Sequence, residues 1–149
     1  QRFDGPIVYT GPLDELFLSR FGRLPYRSLD FKYETHDAKH VLPCGTVNFT
    51  VTEDYTRITE FTYLTGQESD KTTIMKEYSH SYDDPSTQIP YYAIISAENT
   101  AHYNRYLALT EQLPNFYPLG RLAEYRYYNM DVIIGRALEL SDKLVGEAQ

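Results

Sequence analysis

The chain has 149 residues, of which 42% are hydrophobic and 23% charged, with a formal net charge of −7 and a pI near 5.0. That balance suits one globular domain or a piece of a larger protein and excludes a disordered chain. It also argues against a nucleic-acid partner, because phosphate binding needs a basic stripe that this sequence lacks. The single Cys44 rules out an internal disulfide framework. No stretch approaches the ~20 apolar residues of a membrane span, and no charged-then-apolar leader opens the chain, so a cytoplasmic protein is expected. The chain begins at Gln1 rather than Met, directly before the strand-like GPIVYTG, and is expected to be a fragment.

Ile7, Val8 and Tyr9 form a short apolar run that stops at Thr10-Gly11-Pro12. LDELFLSRFG then sets Leu13, Leu16, Phe17 and Phe21 at helical spacing, with Gly22 as a stop, so the expected order is strand, turn, helix. From Tyr26 to Tyr78 the period changes to two. YRSLDFKYET alternates Leu29, Phe31 and Tyr33 with charged neighbours, and TVNFTVT, RITEFTYL and TTIMKEYS behave alike, predicting four antiparallel strands. HDAKHVLPCG, EDY and TGQESDK supply turn residues between them. DDPSTQIP leads to a short strand, YYAII. ENTAHYNRYLALTEQL predicts a helix with Ala101, Tyr103 or Tyr106, Leu107, Leu109 and Leu113 on one face, ended by Pro114. MDVIIGRALELSDKLV predicts a last helix with Asn129 at its N-cap. No internal repeat or low-complexity segment interrupts this order. The fold class expected is α+β, a twisted antiparallel sheet with flanking helices.

Fifteen tyrosines and no tryptophan suit a β-rich domain, and some of the hydroxyls could equally converge on a polar ligand. Three places carry that second reading. GRLAEYRYYN runs into the N-terminus of the last helix, where unpaired N–H groups favour an anion. Arg121 adds a permanent charge there, and Tyr125 and Tyr127 share a face if the run is extended; the competing reading is a solvated Arg-rich strand. In VNFTVTEDYTRITEF, Arg57 and Asn48 could meet across a hairpin, while Glu53, Asp54 and Glu60 make an internal salt bridge the default. In IPYYAI one tyrosine faces the core, and the other, Tyr91 or Tyr92, is free for a ligand. His36 and His40 have i, i+4 spacing in a loop without a third ligand, so no metal is expected, and Cys44 reads as packed or idle rather than catalytic. Glycine-rich phosphate loops and hydrolase motifs are missing.

Taken together, IVYTGPLDELF, GRLPYRSLDF, VNFT, YTRITEF, TTIMKEY, PYY and GRLAEYRYYNMD resemble, in order and spacing, the carboxyl-terminal half of UDP-galactopyranose mutase. The resemblance spans nearly the whole chain. It implies a fragment of a larger FAD-binding, Rossmann-like protein: residues 1–24 at the edge of the FAD domain, 25–96 as the antiparallel substrate-binding sheet domain, and 97–149 as helices and a strand returning to the FAD domain. It implies an isomerase that interconverts UDP-galactopyranose and UDP-galactofuranose through a flavin N5–sugar adduct, with FAD active in its reduced form and no residue of the chain acting as nucleophile. Arg57, Tyr92, Tyr127, Asn48 and Asn129 resemble the substrate-binding positions, and Arg121, Met130 and Gly11 the cofactor-binding ones.

Three departures accompany the resemblance. Asn129 stands where many members carry Asp, PYYAI lacks the proline that commonly follows the two tyrosines, and TEFTYL replaces a histidine-containing segment. The glycine-rich nucleotide loop, the uridine-binding helices and a second diphosphate arginine are not in this sequence, so the piece alone is expected neither to bind FAD well nor to turn over. UDP-galactose is the expected partner, and an apolar face left bare would allow a homodimer. The alternatives are a diverged, non-catalytic nucleotide-sugar-binding protein, or a tyrosine-rich β domain that mediates protein contacts.

Overall fold

The computed structural model describes residues 5–147, and Gln1, where the chain opens, lies outside them. In chain order the elements are β1 (Ile7–Tyr9), α1 (Leu13–Leu16), β2 (Tyr26–His36), β3 (Thr46–Asn48), β4 (Arg57–Glu60), α2 (Phe61–Thr65), β5 (Thr72–Ser81), β6 (Tyr92–Ala93), α3 (Ala97–Thr110), β7 (Phe116–Pro118) and α4 (Met130–Glu147). The fold is α+β, an antiparallel sheet with flanking helices. It divides into two compact units, residues 28–89 and residues 1–27 with 90–149.

Residues 28–89 hold the strands in the order β3-β4-β5-β2, with β3 and β5 each antiparallel to β4. Ile58 and Ile74 are buried, as is the run Ile58-Thr59-Glu60, so β4 is covered on both faces. The alternation expected along β2 does not bury its aromatic set: Phe31 is 45% and Tyr33 62% exposed. Tyr33 instead stacks on Phe61, with ring centroids 6.3 Å apart. Polar pairs join this strand to its neighbour, Thr35 to Thr73 at 3.0 Å and Lys76 Nζ to Glu34 Oε1 at 2.6 Å. RITEFTYL is a strand only as far as Glu60. There the backbone N–H bonds to Gly45 O at 2.9 Å, and the chain turns into α2, which Gly66 ends in a left-handed conformation with φ 66°. TVNFTVT is likewise a strand only over Thr46–Asn48.

In the other unit β1 and β7 pair in parallel, Ile7 opposite Phe116, and Tyr26 and Arg27 at the start of β2 pair with β6. The helix expected over LDELFLSRFG ends after four residues, because Leu18 and Ser19 take left-handed φ values of 53° and 51°. The buried Asp14 organises the return. Its carbonyl accepts the Ser19 N–H at 2.7 Å and its Oδ2 the Leu24 N–H at 3.0 Å. Helix α3 is capped by Ser96, whose Oγ accepts the Asn99 N–H at 3.0 Å, and it buries both Tyr103 and Tyr106, with Thr110. The core is built from Leu13, Leu24 and tyrosines: Tyr103 stacks on Tyr125 at 5.5 Å, and Tyr26 meets Tyr125 edge-on at 5.3 Å. Helix α4 begins where expected, its first bond running from Ile133 N–H to Asn129 O at 3.1 Å. Part of its apolar set stays uncovered, with Val132 46%, Ile134 56% and Leu138 62% exposed, while Ile133, Leu140 and Leu144 are half-buried. No helix among the described residues is long and apolar enough to cross a membrane.

Candidate functional site

Asn48 and Arg57 stand opposite each other in the β3–β4 ladder, and Asn48 Oδ1 accepts the Arg57 Nε–H at 2.9 Å. On the other side Arg57 faces Glu77 of β5, with Nη1 3.7 Å from Glu77 Oε1. The carboxylate is nearly buried, whereas the guanidinium is about two-fifths exposed. A fork of five donors thus commits Nε to an amide and one edge to a loose ion pair, leaving further N–H groups for an anion. The expected salt bridge to Glu53, Asp54 or Glu60 does not form. Positions 57 and 60 point to opposite faces of β4, and Glu60 is taken up elsewhere. It is fully buried and accepts the N–H groups of Val41 at 3.1 Å and Leu42 at 2.8 Å. Burial by itself would raise its pKa, yet the bonds from Leu42, Thr72 and Val41 hold the carboxyl below its usual range. Glu77 was visible in TTIMKEYS only as one charge of an alternating strand; cross-strand register is what brings it to Arg57.

GRLAEYRYYN is not extended. Gly120 and Tyr125 have φ of 109° and 49°, and the chain coils through bonds from Glu124 N to Gly120 O at 2.9 Å and Arg126 N to Arg121 O at 3.0 Å. The face expected to be shared by Tyr125 and Tyr127 is therefore broken. Tyr125 turns into the core, its hydroxyl donating to Pro25 O at 2.6 Å, while Tyr127 is 61% exposed. Burial, with Asp14 nearby, pushes the Tyr125 hydroxyl up to about 12, so it acts as a fixed neutral donor. Arg121 lies over two rings instead of against a carboxylate: its guanidinium carbon is 5.0 Å from the Tyr127 centroid and 5.6 Å from that of Tyr92. The Tyr92 and Tyr127 centroids are 5.7 Å apart. Tyr91 and Tyr92 do not diverge to core and ligand. Their rings meet edge-on at 4.4 Å and neither is buried, because Tyr91 precedes β6 and only its N–H, bonded to Arg27 O at 2.7 Å, is held.

Asn129 and Met130 lie at the start of α4, both exposed, Met130 by 74%. At Gly11 a Cβ would come within 2.7 Å of the Tyr9 hydroxyl, which itself bonds to Pro12 O. The two histidines part company: His36 Nε2 lies 3.7 Å from Glu34, and His40 stacks on Tyr63 at 4.1 Å with Nδ1 3.4 Å from Glu60. Among the described residues no three His, Cys, Asp or Glu side chains gather as a metal set. Cys44 is exposed.

These two arginine clusters lie in sequence that known proteins share. A family model described as UDP-galactopyranose mutase matches residues 1–127. The chain belongs to the UDP-galactopyranose mutase family. It is 37% identical over 144 residues to the UDP-galactopyranose mutase of Mycoplasma pneumoniae, an alignment covering 94% of this chain and 36% of that protein. It is 38% identical over 141 residues to a probable UDP-galactopyranose mutase of Klebsiella pneumoniae, covering 93% and 36%. A dTDP-fucopyranose mutase of Escherichia coli is 35% identical over 138 residues, covering 91% and 36%. The chain thus spans about a third of the length of these relatives, and Asn48, Arg57, Tyr92, Arg121 and Tyr127 all fall inside the span matched by the family model.

Proposed function

We propose that this chain is the substrate-binding part of a flavin-dependent UDP-galactopyranose mutase, which interconverts the pyranose and furanose forms of UDP-galactose. The observation that carries the reading is the Asn48–Arg57 pair: a half-exposed guanidinium oriented by a neutral amide, in the YTR motif of a chain matched to that family. Arg57 takes a diphosphate oxygen, and Asn48 both aims Arg57 and offers its amide to the sugar. Tyr92 and Tyr127 are assigned as hydroxyl donors to the diphosphate, and Asn129 as a neutral hydrogen-bonding group. Donors of this kind hold a departing diphosphate without a metal ion.

Arg121 fits an anionic cofactor, since it rests on aromatic rings with no opposing carboxylate among the described residues to quench it. Arg121, Met130 and Gly11 are the residues that would hold FAD. When reduced and bound, the flavin supplies an electron-rich ring nitrogen able to attack the anomeric carbon. The contribution of Arg121 is to stabilise negative charge on that ring system.

The test uses the full-length protein from which this chain comes. It is reduced with dithionite, given UDP-galactofuranose, and the nucleotide sugars are separated by chromatography, with Arg57→Ala alongside. Conversion that requires reduction and collapses in the variant is expected. A flavin-bearing protein that leaves this substrate untouched would sink the assignment. The Escherichia coli relative favours one second reading, the same ring interconversion on a dTDP-fucose substrate. Conversion of dTDP-fucofuranose in place of the UDP sugar would select it.

A further inference from the structure

Glu124 sits between the residues that the preceding reading uses, and its carboxylate is bonded on every side. Oε2 accepts the Gly120 N–H at 2.9 Å. Oε1 accepts the Tyr128 hydroxyl at 3.2 Å and a bond from Arg136 Nη2, and the Arg136 Nε lies 3.4 Å from Oε2. Only 13% of the Glu124 side chain is exposed. Gly120 directly precedes Arg121 and Tyr128 directly follows Tyr127, so one carboxylate ties down both flanks of the coil that presents this arginine and tyrosine. Arg136, on the second turn of α4, links the same carboxylate to the helix. The Glu124 N–H returns a bond to Gly120 O at 2.9 Å, which closes a reciprocal pair around the left-handed Gly120.

We propose that Glu124, held by Arg136, is a positioning residue: without touching the nucleotide sugar, it fixes where Tyr127 reaches for the diphosphate and where Arg121 stands for the cofactor. The proposal rests on the function proposed above. A shift of about 1 Å in a binding group placed away from the bond-making step is enough to cost orders of magnitude in productive binding. A carboxylate shared by a backbone N–H, a phenol and a guanidinium has no neutral replacement that keeps all three.

The experiment compares full-length wild type with Glu124→Ala, Glu124→Gln, Arg136→Met and the double variant Glu124→Ala/Arg136→Met. Ser96→Ala, which removes the α3 cap, serves as a destabilised control away from the coil. Calorimetry with UDP gives Kd, and steady-state conversion of UDP-galactofuranose gives KM and kcat. In Glu124→Ala, Kd and KM are expected to rise about tenfold or more with a smaller change in kcat. Glu124→Gln restores part of the loss, and the double variant is no worse than Glu124→Ala, as coupled residues require. Ser96→Ala melts lower but keeps Kd and KM. Wild-type Kd and KM in variants that merely melt lower would overturn the proposal and leave the function standing. If Glu124→Ala does not fold, unchanged Kd and KM in both Glu124→Gln and Arg136→Met overturn it as well. A wild-type protein that neither binds UDP nor converts the sugar overturns both readings.

Discussion

Arg57 and Glu77 face each other across β4 and β5, yet their closest charged atoms are 3.7 Å apart while the Asn48 amide sits at 2.9 Å from the same guanidinium. The neutral partner therefore fixes the direction of the arginine and the acidic one limits its field. Removing the amide should loosen Arg57 without unfolding the strand pair. Asn48→Ala is expected to weaken UDP binding about tenfold, and Arg57→Lys, which loses the planar fork, by more. Titration calorimetry on the full-length protein decides it, and equal affinities for wild type and both variants would remove the diphosphate role.

Tyr106 serves two backbone groups from one hydroxyl, accepting from Phe21 N–H at 2.8 Å and donating to Gly22 O. Tyr106→Phe keeps the ring packed and strands both groups, so a loss of about 1–3 kcal/mol is expected in denaturant unfolding. A change within error would mean that water replaces the hydroxyl there.

Two buried carboxylates should give opposite pH signatures. Glu60 has a folded-state pKa below its unfolded value, so the stability it contributes is full above the unfolded value and is lost as pH falls through the folded one. Glu60→Gln should therefore flatten the acid limb of a melting-temperature profile. Asp14 is displaced upward, chiefly by burial and against the bond from Leu24 N–H. Its contribution is greatest below the unfolded pKa and declines as pH rises through the folded one. Asp14→Asn keeps an acceptor for Leu24 and should be neutral or stabilising at pH 7. Profiles of the two variants that move in the same direction would contradict this.

Gly120 adopts φ 109°, where any side chain is strained whatever space surrounds it. Gly120→Ala should destabilise the protein by about 1–3 kcal/mol and weaken UDP binding as well, because the coil it opens carries Tyr127. An alanine variant with native stability and affinity would show that the coil tolerates another path.

Much of this was readable in advance where one period dominates. The strand positions of β4 and β5, the long helices α3 and α4, and the meeting of Asn48 with Arg57 follow from alternation, capping and turn residues alone. The coil at 120–128 did not, because alternate tyrosines mimic an extended run, and only the backbone angles at Gly120 and Tyr125 show that Tyr125 turns inward. The end of β4 was hidden for another reason. FTYLT is rich in strand-favouring residues, and the anchoring of Glu60 to Gly45, Val41 and Leu42 overrides that preference through contacts distant in sequence. Glu77 was missed because a partner set by register with the neighbouring strand leaves no local signal.

The parallel pairing of β1 with β7 joins residues about 110 positions apart, and all of residues 28–89 lie between them in sequence. The intervening unit has its own short-range hairpins, and its ends meet where Ser28 Oγ bonds to Ile89 O at 2.8 Å. During synthesis this inserted unit can complete its ladder while β1 still waits for a partner. Among the described residues, Ile7, Val8 and Tyr9 therefore meet their ladder partner only once the ribosome has delivered Pro118, which leaves this apolar run waiting through most of the synthesis of the segment.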